Sequence, residues 1–193
     1  MLRLRGRDIA TVPNLVSVAG LLLTVHGARR LHTPTGIAEV AVGRLLDLVD
    51  GYLARALDQS SQFGAGLDAM FDKAGVTAVG WQLWRRCAAS RPALLAIAGQ
   101  NTVNLVSTVI TGVYDRGPGL QPAAEGKNAM AAQNAAMAAY AVSGLYVDSA
   151  RRTRDVLLWI GHGATVIGIG YGLPASGQYI RRARHAVSAS LSR

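Results

Sequence analysis

Cysteine occurs once, at Cys87, so no intramolecular disulfide can form and no oxidising compartment is implied. Phenylalanine is nearly as scarce, with 2 residues, and all aromatics together make up 6% of the chain. Charged residues amount to only 16%, against 50% hydrophobic and a mean hydropathy of +0.24. That balance is too apolar for a typical soluble domain and modest for a membrane protein. Alternation of apolar and polar residues at strand spacing is missing, as is any internal repeat. Acidic residues are also few, 11 against 20 lysines and arginines, for a net charge of +9. In a soluble protein such an excess would point to nucleic acid. Here the arginines cluster at the ends of apolar segments, which excludes nucleic acid in favour of anionic lipid headgroups.

What is abundant is glycine, with 22 residues, together with alanine. Small residues of this kind let membrane helices approach closely. The basic start "MLRLRGR" followed by an apolar run has the outline of a signal peptide, but "VHGARR" is a poor cleavage site and more apolar segments follow. A retained first helix is expected. Six stretches are long and apolar enough to span a bilayer: Asn14 to Leu31, Gly36 to Leu57, Gly64 to Ala88, Pro92 to Tyr114, Lys127 to Val147, and Asp155 to about Leu173. The first follows the helix-start signal "TVPN". The sequence therefore predicts an all-α, polytopic integral membrane protein with six transmembrane helices in one domain, residues 1–193. Residues 1–13 form a basic juxtamembrane segment, and 175–193 a basic tail, partly disordered or lying on the surface. With the N-terminus inside, slightly more basic residues fall on the cytoplasmic side. A multi-pass protein of the cell membrane is expected, with its active site facing the cytoplasm.

Two of these spans carry more than one carboxylate each. In "DLVDGYLAR", Asp47, Asp50, Gly51 and Ala54 recur at helical spacing on one face; in "GAGLDAMFDK", Gly64, Asp68 and Asp72 do the same. The short connection "ALDQSSQF" would fold the two helices antiparallel and bring these faces together near one membrane surface. A charged side chain at mid-bilayer costs on the order of 3 kcal/mol, so four unpaired carboxylates are untenable there. Two divalent cations would cancel their charge, and hard oxygen ligands suit Mg²⁺ or Mn²⁺. A carboxylate-held metal pair is also a common means of moving a phosphoryl group, because it neutralises charge on the transferring phosphate. Gly51 and Gly64 would leave room for a ligand against the helix backbone. A lone D-x-x-D-G, by contrast, is usually a solvated helix face. A cation or proton pathway is the other reading of buried aspartates.

The full pattern, D-x2-D-G-x2-A-R-x8-G-x3-D-x3-D, is met at Asp47, Asp50, Gly51, Ala54, Arg55, Gly64, Asp68 and Asp72. It resembles the signature of the CDP-alcohol phosphotransferase family of integral-membrane phospholipid synthases. "TVPNLVS" is similar to the family's start before its first span, and six helices is the family's number. "GKNAMAAQ" (Gly126 to Gln133) is similar to the G-K-x-x-T-x-x-Q that opens the fifth helix of phosphatidylglycerophosphate synthases, departing at Met130 where Thr is usual. Leu46 stands where a small Ser often precedes the first Asp. The resemblance implies that Asp47, Asp50 and Asp68 ligate two metals, with Asp72 as ligand and general base. It implies that Gly51, Ala54, Arg55 and Gly64 line the site for a cytidine nucleotide and its diphosphate. The implied reaction is attack of an acceptor hydroxyl on CDP-diacylglycerol, releasing CMP, by a homodimer among membrane lipids.

The "GK…Q" similarity favours glycerol 3-phosphate as acceptor, with Lys127 binding its phosphate and Arg116 assisting. Met130 makes that pocket more apolar, which suits a lipid. Phosphatidylglycerol, giving cardiolipin, and an inositol phosphate are the rival acceptors. The readings from other classes are a helical cation transporter and an inactive structural relative. Glu39 and Arg44 are expected to form a structural ion pair, Lys73 to balance charge beside Asp72, and Gln100, Asn101 and Asn104 to join helices by hydrogen bonds. His162 is expected in the core, and Trp81, Trp84 and Trp159 at interfacial or packing positions.

Overall fold

The computed structural model describes residues 11–59, 62–86, 88–114 and 124–191, with the side chains of 62–69 and 191 outside the description. Six α-helices follow one another: α1 (Val12–Arg29), α2 (Pro34–Ala56), α3 (Gln62–Arg85), α4 (Arg91–Tyr114), α5 (Ala124–Ser143) and α6 (Arg151–Leu191). A 3₁₀ turn, Gly144–Tyr146, follows α5. No strand occurs among the described residues. The all-α expectation is met, and the predicted spans are matched helix by helix. The helix start expected from "TVPN" holds at α1, and α2 begins in the same way. Thr11 and Thr33 are extended N-caps whose hydroxyls accept from the backbone N–H of Asn14 and Gly36, with Pro13 and Pro34 in the first turns.

By length and composition, α4 and α6 are each apolar enough to cross a membrane. Large apolar side chains point outward throughout, among them Leu15, Leu22, Leu48, Val113, Trp159 and Val166. The interior is rich in small and polar residues, among them Ala28, Ala136, Ala175, Thr24, Ser143 and Thr165, with a few large ones such as Leu83 and Tyr140. Apolar outside and small inside is how helices pack when lipid, rather than water, is the solvent.

The chain divides into two compact units, Met1–Arg86 and Cys87–Arg193. In the first, α1 is the central helix and lies against both α2 and α3. Its seam with α2 is a pair of glycine contacts. A Cβ on Gly20 would lie 2.9 Å from the carbonyl oxygen of Gly43 and 3.7 Å from the backbone nitrogen of Asp47. A Cβ on Gly27 would lie 2.7 Å from Cβ of Glu39. Only glycine permits this approach, and it presses α1 onto the stretch of α2 that carries the aspartates. Thr24, fully buried, fills the step beside Gly43 and reaches Gly75 of α3. The α2 helix ends at Asp58, whose φ of 53° is left-handed, with Gln59 N–H donating back to the Ala54 carbonyl at 2.9 Å.

In the second unit α6 is central, packing on α4 and α5. Gln133 of α5 donates to Gln100 Oε1 of α4 at 2.5 Å and accepts from Asn101 at 2.8 Å. Gln100 reaches the Ile169 carbonyl of α6 at 3.4 Å, and Ser176 of α6 donates to Asn104 at 2.7 Å. Gln100, Asn101 and Asn104 thus join helices, as expected, and Gln133 of the "GK…Q" stretch is part of that network. His162 is only half-buried, with its ring edge-on to Tyr140 at 5.5 Å and to Trp159 at 6.4 Å.

The tail departs from expectation. Residues 175–191 are not a disordered end but the continuation of α6, which runs for 41 residues through Pro174. "RRARHAVSAS" is rich in alanine and arginine, good helix formers that propagate a helix already nucleated. Proline removes a single backbone bond, and the tail packs regardless: Ala175, Ala183 and Ala186 are buried.

Candidate active site

In the first unit, α2 presents Asp47 and Asp50 on one face, and α3 presents Asp72. Asp50 and Asp72 are buried, at 3% and 7% exposure, while Asp47 is half-buried. Each has a partner. The Ser17 hydroxyl of α1 donates to Asp50 Oδ2, an interaction made possible by the glycine seam that draws α1 close. Arg44, one turn before Asp47, spreads its guanidinium between the two helices. Nη1 stands 3.5 Å from Asp47 Oδ2, and Nη2 donates to Asp72 Oδ1 at 2.7 Å. Lys73 Nζ completes the set, 3.3 Å from the other Asp72 oxygen.

Lys73 therefore balances charge as expected, but the expected Glu39–Arg44 pair does not form. Positions five apart on a helix point to different sides, whereas pairs three or four apart share a face. Glu39 instead meets His26 Nδ1 at 2.9 Å and Arg30 Nη1 at 3.2 Å, both brought alongside by the α1–α2 turn. Arg44 and Ser17 are the two residues that sequence reasoning did not connect to the aspartates. Arg44 stands three positions before Asp47, a helical spacing that the sequence offered, but its Asp72 contact and the Ser17–Asp50 contact span 28 and 33 positions, which no local spacing could reveal. "TVPNLVS", ending on Ser17, was legible only as a family-like start.

The other expected residues fall as follows. Gly51 lies on an open stretch of α2, where among the described residues an added Cβ would meet only Arg55 Nη1, at 3.7 Å. Ala54 is half-buried and Arg55 exposed, near the end of the same helix. Gly64 and Asp68 lie on the first turns of α3, with side chains outside the described set, and Arg116 lies outside the described residues. Lys127 is exposed on the first turn of α5, in the second unit. Beside it, Gly126 is crossed by Tyr179 of α6, whose Oη would lie 2.8 Å from an added Cβ. The Arg182 guanidinium stands 6.0 Å from that tyrosine ring.

The donor chemistry suits a hard divalent cation, since Asp47, Asp50, Asp72 and the Ser17 hydroxyl offer only oxygen and two of the carboxylates are buried. As arranged, however, no group of three or more His, Cys, Asp or Glu side chains among the described residues converges on one point. Arg44 and Lys73 hold the carboxylates in the way a cation would.

A buried carboxylate cluster on the second and third helices of a six-helix membrane chain defines a class, and the comparison with known families agrees. The CDP-alcohol phosphatidyltransferase model matches residues 10–167, and this chain belongs to that family. Divalent-metal dependence is general in it. Two relatives are named for inositol rather than glycerol chemistry. Over 68 residues the chain is 40% identical to the CDP-diacylglycerol–inositol 3-phosphatidyltransferase of Drosophila melanogaster, covering 34% of this chain and 30% of that protein. Over 74 residues it is 34% identical to the archaetidylinositol phosphate synthase of Pyrococcus horikoshii, covering 35% of this chain and 39% of that one. Each match therefore spans well under half of the relative's length. No solved structure matches the chain at comparable significance. The expectation of glycerol 3-phosphate finds no support in these relatives; the rival inositol-type acceptor does.

Proposed function

We propose that this chain transfers a phosphatidyl group from CDP-diacylglycerol to an inositol phosphate, releasing CMP. The observation that carries the reading is the carboxylate set of Asp47, Asp50 and Asp72, the last two buried and Asp47 and Asp72 bridged by Arg44, inside the family-matched region. The acceptor hydroxyl oxygen attacks the phosphatidyl phosphorus and its proton passes to Asp72. The bond from that phosphorus to the bridging oxygen breaks, and CMP leaves with the oxygen. Asp47, Asp50, Asp68 and Asp72 would hold Mg²⁺ or Mn²⁺. When bound, the metal neutralises charge on the diphosphate and acidifies the attacking hydroxyl. Gly51 and Ala54 give the nucleotide access to the helix backbone, with Gly64 and Arg55 beside the diphosphate. The family match runs through both compact units, which supports one functional domain. The inward-facing orientation and the homodimer remain part of the same proposal.

A phosphorylated acceptor rather than a lipid is supported by Lys127, exposed beside Gly126, with Arg182 near the Tyr179 ring that covers that glycine. A cation at a helix start suits a phosphate monoester. The test is a panel of acceptors offered to the purified protein with CDP-diacylglycerol. Inositol phosphate should yield a phosphoinositol lipid, while glycerol 3-phosphate and phosphatidylglycerol should not. Product from glycerol 3-phosphate alone would return the acceptor to the glycerol series.

A further inference from the structure

Arg44 lies midway along α2 in a chain of a membrane family, where a guanidinium is costly in lipid and a helix tie does not need one. Its placement is more specific than a tie. From α2 it reaches Asp47 on its own helix and Asp72 on α3, at 3.5 and 2.7 Å. Gly75, one turn beyond Asp72, faces the guanidinium: a Cβ there would make ordinary contact with Arg44 Nη1 at 3.9 Å and come within 3.3 Å of Thr24 Cγ2. The helices do not depend on Arg44 to associate, because α1 packs on both. The Arg44 side chain is 26% exposed, so its long stem can swing the charge toward the interface.

We propose that Arg44 is a built-in counter-cation of the site. It holds Asp47 and Asp72 in the metal-free protein and gives way when a divalent cation binds. This rests on the metal reading above. The carboxylate oxygens of Asp47, Asp50 and Asp72 are turned to Arg44, Lys73 and Ser17. Both oxygens of Asp72 are committed, Oδ1 to Arg44 and Oδ2 to Lys73, so one must be released before it can ligate a metal or accept a proton. Withdrawal of Arg44 frees Oδ1 and the facing Asp47 oxygen together. Arg44 is thus a positioning residue that acts through Asp47 and Asp72.

The test uses full-length protein in detergent, stripped with chelator and titrated with Mn²⁺. Binding is read from the electron paramagnetic resonance of free Mn²⁺, and stability from tryptophan fluorescence on heating. Arg44→Gln should lower the melting temperature of the stripped protein, and Mn²⁺ should restore it to that of loaded wild type. Its Mn²⁺ affinity should rise about tenfold, because the ion no longer competes with a guanidinium at short range. Arg44→Lys, which keeps the charge, should fall between. In chelator, adding Asp72→Asn to Arg44→Gln should recover part of the lost melting temperature. Wild type that binds Mn²⁺ as tightly as Arg44→Gln, or a stability loss that Mn²⁺ does not repair, would overturn the exchange while leaving the metal reading standing. Absence of Mn²⁺ binding in all forms would overturn both. Failure of Asp72→Asn to recover any stability would overturn the counter-cation role itself.

Discussion

Asp50 and Asp72 are the only acidic side chains among the described residues that are fully buried. Neither is left alone, and the partners differ in kind: a neutral hydroxyl for Asp50, two cations for Asp72. On the proposed reading Asp50, whose oxygen meets only a neutral hydroxyl, is held for the metal, and Asp72, whose oxygens meet Arg44 and Lys73, must release one of them to accept a proton. Asp72→Asn preserves shape and one ligand oxygen but cannot accept a proton. Turnover should fall by about 10²-fold or more while CDP-lipid binding survives, as single-turnover assays and equilibrium binding would show. Lys127→Ala should raise the KM for inositol phosphate about tenfold, the scale of a hydrogen bond to a charged group, with the KM for the CDP-lipid unchanged. The aspartates were legible in the sequence because three- and four-residue spacings place side chains on one helix face whatever the fold. The Ser17–Asp50 and Arg44–Asp72 contacts were not, because they depend on how three helices pack, although Arg44–Asp47 lies at helical spacing within α2. The Glu39–Arg44 pairing failed for the same reason, since the turn after α1 supplied nearer cations.

At the scale of helices, the existence and order of all six were legible from apolar runs and start signals. The length of α6 was not. Pro174 and the arginines after it mimic an ending, yet the helix continues to Leu191. At 1.5 Å per residue it extends about 60 Å, twice the hydrocarbon thickness of about 30 Å. Much of its basic end must therefore run beyond the hydrocarbon core, where arginines meet headgroups. The other unforeseen feature is the glycine seam of α1 and α2, whose meaning appears only when the two helices are laid together. Gly20→Leu would drive a side chain into the Gly43 carbonyl and the Asp47 backbone. It should cost about 1–3 kcal/mol by overpacking and show as a lower melting temperature in detergent. Gly163→Ala is the matched control. Among the described residues a Cβ there meets nothing within 4 Å, so its melting temperature should hold or rise.

For the whole molecule, the membrane setting decides what the carboxylates are for. In water an acidic face needs no explanation; among apolar, outward-facing leucines, valines and tryptophans it needs a cation. Chelation should abolish turnover, and Mg²⁺ or Mn²⁺ should restore it. Arg44 and Lys73 would meanwhile keep the stripped protein folded, so that the loss is reversible. Full activity in excess chelator would remove the metal from the account.

The most direct test of the central claim is CMP release from CDP-diacylglycerol by purified wild type, Asp50→Asn and Asp72→Asn, in Mg²⁺ with inositol phosphate as acceptor. The account predicts steady CMP formation by wild type, matched by phosphoinositol lipid, and loss of about 10²-fold or more in both variants despite retained folding. CMP release that is absent in wild type under every acceptor, or unchanged in the two variants, would contradict it.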